Sequence, residues 1–230
     1  MELSSAEDKP GYETRKVPRF VVWLLLILLV GAVVLFVSAR LCYKYMFPYG
    51  YTHACSKVLC LSLTMYANEH DGWFPYGEAT PEASLGLLAK FDPTLVLLLG
   101  GKHIPKEIAA RAFTNGTFGP DTCGWHYVEG LRADDDPDLA IAWDKVTGLG
   151  HNGERRRGLM HEVVFVGGFT KYISKDKWSK FVKEQMEKLE RVIASRGTND
   201  PPIRWSDEAT LGPNRFPPQA SKEIIRAVQK

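Results

Sequence analysis

Asp134, Asp135, Asp136 and Asp138 place four carboxylates within five residues, and Pro137 stiffens the turn between them. Hard oxygen donors at that density are what a calcium ion takes. The run lacks the sixth-position glycine and distal glutamate of an EF-hand loop, so the competing reading is an ordinary solvated acidic loop. Six histidines (His53, His70, His103, His126, His151 and His161) supply imidazoles of the kind zinc takes, yet no His-Glu-x-x-His sets two of them one helical turn apart. For acyl transfer there is no Gly-x-Ser-x-Gly, serine meets lysine in trivial spacings such as Ser174-Lys175 and Ser56-Lys57, and Gly148, Gly150 and Gly153 lack the Lys-Ser/Thr that completes a phosphate loop. The alternative to a structural role is a tethered enzyme or a ligand- or metal-binding domain using His151, His126 and the Asp134–Asp138 loop.

The four cysteines, Cys42, Cys55, Cys60 and Cys123, include no Cys-x-x-Cys pair. Cys55 and Cys60 fall about 500° apart around a helix and so do not share a face. Cys60 with Cys123 stays open as a disulfide for an oxidising compartment. Asn115-Gly116-Thr117 has the form of a glycosylation sequon, a short pattern that recurs by chance. With 29 Lys plus Arg against 27 Asp plus Glu, the formal charge of +2 argues against a nucleic-acid partner. A 24% charged and 45% hydrophobic composition over 230 residues is that of a globular chain.

Any such chemistry has to be positioned relative to a membrane. Phe20 to Ala39 is free of charge, and a helix over those residues matches a hydrocarbon core about 30 Å thick. Arg15, Lys16 and Arg19 flank it on one side and Arg40 and Lys44 on the other, with Trp23, Tyr43 and Tyr45 as interfacial aromatics. A cleaved signal peptide is the alternative, but its apolar region is about 7 to 15 residues long and no Ala-x-Ala site follows here. Lys9, Arg15, Lys16 and Arg19 before the span, against Arg40, Lys44 and Lys57 after it, favour a cytoplasmic N-terminus with the remainder outside. The resulting organisation is a polar tail at 1–19, a transmembrane helix at 20–39, a linker at 40–51, a head at 52–196 and a Pro-rich tail at 197–230, carrying a short helix near Glu223 to Gln229.

Within the head, Pro48 and Gly50 end the membrane helix. Thr52 caps a second, amphipathic helix that buries a broad face, with Val58, Leu61 and Met65 on one stripe and Leu59, Leu63 and Tyr66 beside it. Thr80-Pro81 and Asp92-Pro93 start short helices, Leu95 to Leu99 is a core turn stopped by Gly100 and Gly101, and Lys106 to Phe113 is another helix. Strands are expected at Trp125–Val128, Leu139–Trp143, Val163–Val166 and Phe169–Ile173. Gly167 and Gly168 suit a two-residue hairpin turn between the last two. Ser174 or Asp176 caps a final helix whose stripe of Trp178, Phe181, Val182, Leu189, Val192 and Ile193 is interrupted by Gln185. The fold class is α+β, a membrane helix followed by a small antiparallel head with a C-terminal amphipathic helix.

Leu59 to Pro75, LCLSLTMYANEHDGWFP, resembles the segment after the N-terminal helix of pilin-like proteins related to type II secretion pseudopilins, with Tyr66, Asp71, Gly72 and Pro75 at the motif positions. Asp136 to Lys145 is similar to that family's strand ending in Trp-Asp-Lys, here Trp143, Asp144 and Lys145, and His151 followed by the Gly167-Gly168 hairpin resembles its H-x9-DG ending. The family's Gly-Phe-Thr-Leu-Ile-Glu processing signature is absent, as is a glutamate in the span. The resemblance implies a non-catalytic structural or assembly subunit of the cell envelope, anchored in the cytoplasmic membrane and contacting envelope proteins or copies of itself. It implies no cofactor, and any calcium in such a head would be structural.

Overall fold

The apolar run forms a helix because its backbone can satisfy its own hydrogen bonds, which a bilayer demands. The computed structural model describes residues 18–206, and helix α1 spans Arg19–Met46 with none of its residues buried. It is long and apolar enough to cross a membrane. It outlasts the expected 20–39 span by a further two turns, until Pro48 removes an amide hydrogen and Gly50 adopts φ +82°. The chain divides into two units between Tyr43 and Lys44. The N-terminal tail, most of the Pro-rich tail and the helix expected at 223–229 lie outside the described residues.

Within the second unit, α2 (Ser56–Glu69) is capped at Cys55 rather than Thr52. Thr52 is instead buried in the linker, where its hydroxyl donates to the Lys102 carbonyl at 3.2 Å. α2 buries Leu59, Cys60, Leu63, Tyr66 and Ala67. Contrary to expectation, Val58, Leu61 and Met65 remain 43%, 61% and 48% exposed, so the buried face is narrower than the apolar pattern. Short helices α3 (Pro81–Leu85), α4 (Leu87–Phe91), α5 (Val96–Leu99) and α6 (Lys106–Thr114) follow, with a 3₁₀ turn at Pro93–Leu95. Thr80 and Asp92 supply the expected side-chain caps, to Ala83 N at 3.1 Å and Thr94 N at 2.9 Å.

Five antiparallel strands, β1 (Trp125–Glu129), β2 (Ala140–Asp144), β3 (Met160–Phe165), β4 (Thr170–Ser174) and β5 (Arg204–Trp205), form a sheet in the order β4-β3-β2-β1-β5. β1 and β2 are buried along their whole length, which is why AIAWD reads as an unbroken apolar run before its aspartate. Alternation splits the sheet's side chains between two layers. Trp143, His161 and Phe165 meet Trp178 and Phe181 of α7 (Lys175–Ser195). On the other face Glu162 meets Ser56 of α2, and Trp125 donates to the Leu98 carbonyl.

Two features correct the sequence reading. The β3–β4 connection is a four-residue segment, Val166 to Phe169, closed by Gly168 N to Phe165 O at 3.1 Å and by Phe165 N to Phe169 O at 3.0 Å. Only Gly168 has positive φ. Gly167 is needed for another reason: a Cβ there would lie 2.8 Å from the Pro137 Cβ. Second, the segment after Gly197 is not wholly loose, because β5 pairs with β1 and Ser206 is buried against Tyr127.

Candidate functional site

The densest chemistry in the described residues is a buried ionic cluster whose centre, Lys102, has no local sequence signal. Leu99 ends α5, and its carbonyl accepts from Gly124 N at 2.9 Å. There the two backbones cross so closely that a Cβ on Gly124 would meet the Gly100 oxygen at 2.1 Å. That crossing carries Lys102 to the end of β2. Its Nζ lies 2.8 Å from Asp144 Oδ2 and 2.8 Å from Glu162 Oε2, with the Lys102 and Asp144 side chains each 2% exposed.

Each remaining polar atom of the carboxylates is used. Asp144 Oδ1 accepts from Glu162 N at 3.2 Å and faces His161 Nδ1 at 3.1 Å, and the Ser56 hydroxyl donates to Glu162 Oε1. Burial by itself would drive Lys102 towards the neutral amine, but Asp144 and Glu162 outweigh it and its pKa ends above the ordinary value. Tyr172 is also raised, first by burial and then by its hydrogen bond to Glu162. The charged lysine is therefore locked between two acids, with α2, the α5 turn, β2 and β3 each contributing one group. As built, the cluster ties four segments together and presents no open face to a substrate.

The Trp-Asp-Lys motif divides its labour across the layers. Trp143 packs 6.4 Å from Trp178 on α7, Asp144 enters the ionic cluster, and Lys145 donates to Glu82 at 2.8 Å and to the Pro120 carbonyl at 2.7 Å. The other motif residues are packing or turn residues as well. Tyr66 stacks on His70 at 3.7 Å, Asp71 and Gly72 take positive φ at the turn after α2, and the Pro75 carbonyl accepts from Tyr127. His151 is exposed beside His53, while its carbonyl accepts from Ala54 N at 2.7 Å and holds the linker to the head.

The calcium reading is corrected by the partners of the acidic loop. Asp134 pairs with Arg132 at 3.0 Å, Asp135 with Arg196 at 2.5 Å, Asp136 with Lys188 at 2.8 Å, and Asp138 lies 3.8 Å from Lys171. The hydrogen bond from Lys188 is the main reason Asp136 is held below the usual carboxylate range. Four carboxylates facing four separate cations do not converge on one ion, and among the described residues no group of His, Cys, Asp and Glu could hold a metal. His126 is buried on β1 against Trp143, with burial pulling its pKa well down. His151, His126 and the acidic loop thus sit in three different settings and form no common site.

The Cys60–Cys123 disulfide is not formed: both thiols are buried and free, and the exposed Cys42 and half-buried Cys55 are free as well. Cys123 Sγ lies 3.4 Å from the Trp125 carbonyl, and burial pushes its pKa up to about 11. Between α7 and the sheet, Val128, Trp143, Trp178, Leu189 and Trp205 help line an apolar cavity of about 40 Å³. That is room for small molecules of the size of water, far below the roughly 300 Å³ at which ligand pockets begin.

Sequence reasoning missed Lys102, Ser56 and the role of Glu162. Glu162 shares its strand face with Val164, and a carboxylate on a buried face demands a partner. Comparison with family models, curated proteins and solved structures finds no match. The chain thus presents an α+β head following a single apolar N-terminal helix of a kind that anchors proteins in membranes.

Proposed function

We propose that this chain is a single-pass protein of the cytoplasmic membrane whose head acts outside the cytoplasm as a non-catalytic structural or assembly subunit, in the manner of pseudopilins. The carrying observation is that the residues most able to do chemistry are spent on internal bracing. Lys102, Asp144, Glu162 and Ser56 close on one another, and the acidic loop closes on α7 and its neighbours. The motif residues Tyr66, Asp71, Gly72, Pro75, Trp143 and Asp144 likewise serve packing and turns. The exposed Val58, Leu61 and Met65 stripe on α2 gives such a subunit a face for other envelope proteins or for its own copies.

Cross-linking of the full-length protein in its membrane tests this. A ladder of self-adducts, or one discrete adduct with another envelope protein, is the expected outcome. Monomer alone at cross-linker concentrations that capture known complexes would refute the assembly role.

A further inference from the structure

The segment Glu154 to Met160, ERRRGLM, is held against Tyr45 and Met46, among the first residues of the second unit. Arg155 N donates to the Met46 carbonyl at 2.7 Å, its Nε donates to the Tyr45 carbonyl at 3.3 Å, and its guanidinium lies over the Tyr45 ring at 5.0 Å. These bonds satisfy carbonyls that the last turn of a helix leaves without partners, where a cation is also favoured by the helix dipole.

Arg156 and Arg157 follow at once, both exposed, and Leu159 and Met160 are 42% and 39% exposed. Tyr45 and Tyr51 nearby in sequence are 65% and 62% exposed. The only acid in the loop is Glu154, which lies 3.0 Å from Arg156, so three arginines stand against one carboxylate.

Depth follows from helix rise. Met46 lies seven residues beyond Ala39, the last residue of the charge-free run. At 1.5 Å per residue that is about 10 Å past the hydrocarbon edge, close to where the headgroup layer ends, about 5 to 8 Å out. Arginine side chains are long enough to span the remainder, with apolar stems that tolerate the interface.

We propose that the Arg155–Arg157 loop is a binding surface for anionic lipid headgroups, with Arg155 held against Tyr45 and Met46, Arg156 and Arg157 on the phosphates, and the exposed Leu159 and Met160 beside them. The inference rests on α1 being a membrane anchor. Its chemistry is the attraction of clustered basic side chains at a helix end for an anionic leaflet, worth about fivefold in association per residue.

The test is native mass spectrometry of the full-length protein in mild detergent, incubated with equal amounts of phosphatidylglycerol and phosphatidylcholine. The wild type is expected to retain phosphatidylglycerol preferentially. The double variant Arg156→Gln/Arg157→Gln should retain at least about tenfold less, with unchanged thermal unfolding because both side chains are exposed. Equal retention of the two lipids by the wild type, or undiminished phosphatidylglycerol on the double variant, overturns the proposal. Displacement of the lipid by millimolar inorganic phosphate would also overturn it, by showing a site for free phosphate. Alkaline carbonate extraction of membranes is run alongside: release of the wild type would refute the anchor itself, whereas retention with no lipid preference refutes the headgroup surface alone.

Discussion

At the scale of residues, the informative position is Lys102. An ammonium ion enclosed by protein loses several kcal/mol of hydration, and it stays charged here only because two carboxylates approach it at 2.8 Å. Removing it would strand both acids. The variant Lys102→Met is therefore expected to destabilise the head by about 3–5 kcal/mol, whereas Lys102→Met combined with Asp144→Asn and Glu162→Gln should recover a large part of that loss. Thermal unfolding of the two variants checks this, and a single variant as stable as the wild type would show that the cluster is not closed. None of these partners was legible locally, since Lys102 and Asp144 are 42 residues apart and Ser56 and Glu162 are 106 apart. Spacing rules detect pairs one turn or one strand away; contacts of this length are made by the fold.

Elements carry a second lesson in Gln185, the polar break in an otherwise apolar helix stripe. The β2–β3 register shifts between Ala140 and Ala142. Gln185 bonds the backbone at that irregularity: its Oε1 accepts from Ala140 N at 2.8 Å and its Nε2 donates to the Asp138 carbonyl at 3.1 Å. Gln185→Leu would complete the apolar stripe and still cost about 1–3 kcal/mol, because the amide of the buried Ala140 loses its partner, while the exposed Asp138 carbonyl can turn to water. Hydrogen exchange at the Ala140 amide should accelerate in that variant, and unchanged exchange would assign the register shift to strand packing alone. The hairpin shows the same division. Two glycines between apolar runs were enough to place the turn, but the residue that needs Gly167 is Pro137, on a distant connection.

For the whole molecule, β5 decides where the head stops. Arg204 pairs with Glu129, whose side chain is 2% exposed, and also donates to the Glu78 carbonyl at 2.6 Å. Ser206 bonds Tyr127 through both backbone and hydroxyl. A chain stopped after Gly197 leaves the Glu129 carboxylate buried without its cation and exposes the edge of β1. It should lose about 3 kcal/mol or more relative to the full chain, a fall of roughly 6–12 °C in Tm. Equal melting of the two would place the head's boundary at α7. Five prolines in the span from Pro201 to Pro218 made this segment read as loose tail, and a two-residue edge strand leaves no periodicity to contradict that.

What the sequence determined by itself is whatever rests on contiguous residues. A run of twenty charge-free residues, nearly all apolar, must find an apolar setting and bond its own backbone, so α1 was legible, and caps such as Thr80-Pro81 are settled within four residues. The α+β class followed from the change of period along the chain. Only tertiary structure decided which apolar stripe of α2 is buried, that the acidic loop faces four cations rather than one metal, and that Lys102 can be charged inside the protein. It also brought Arg155 against Tyr45 and Met46. Burial and charge are properties of neighbours in space, and these neighbours stand tens of residues apart along the chain.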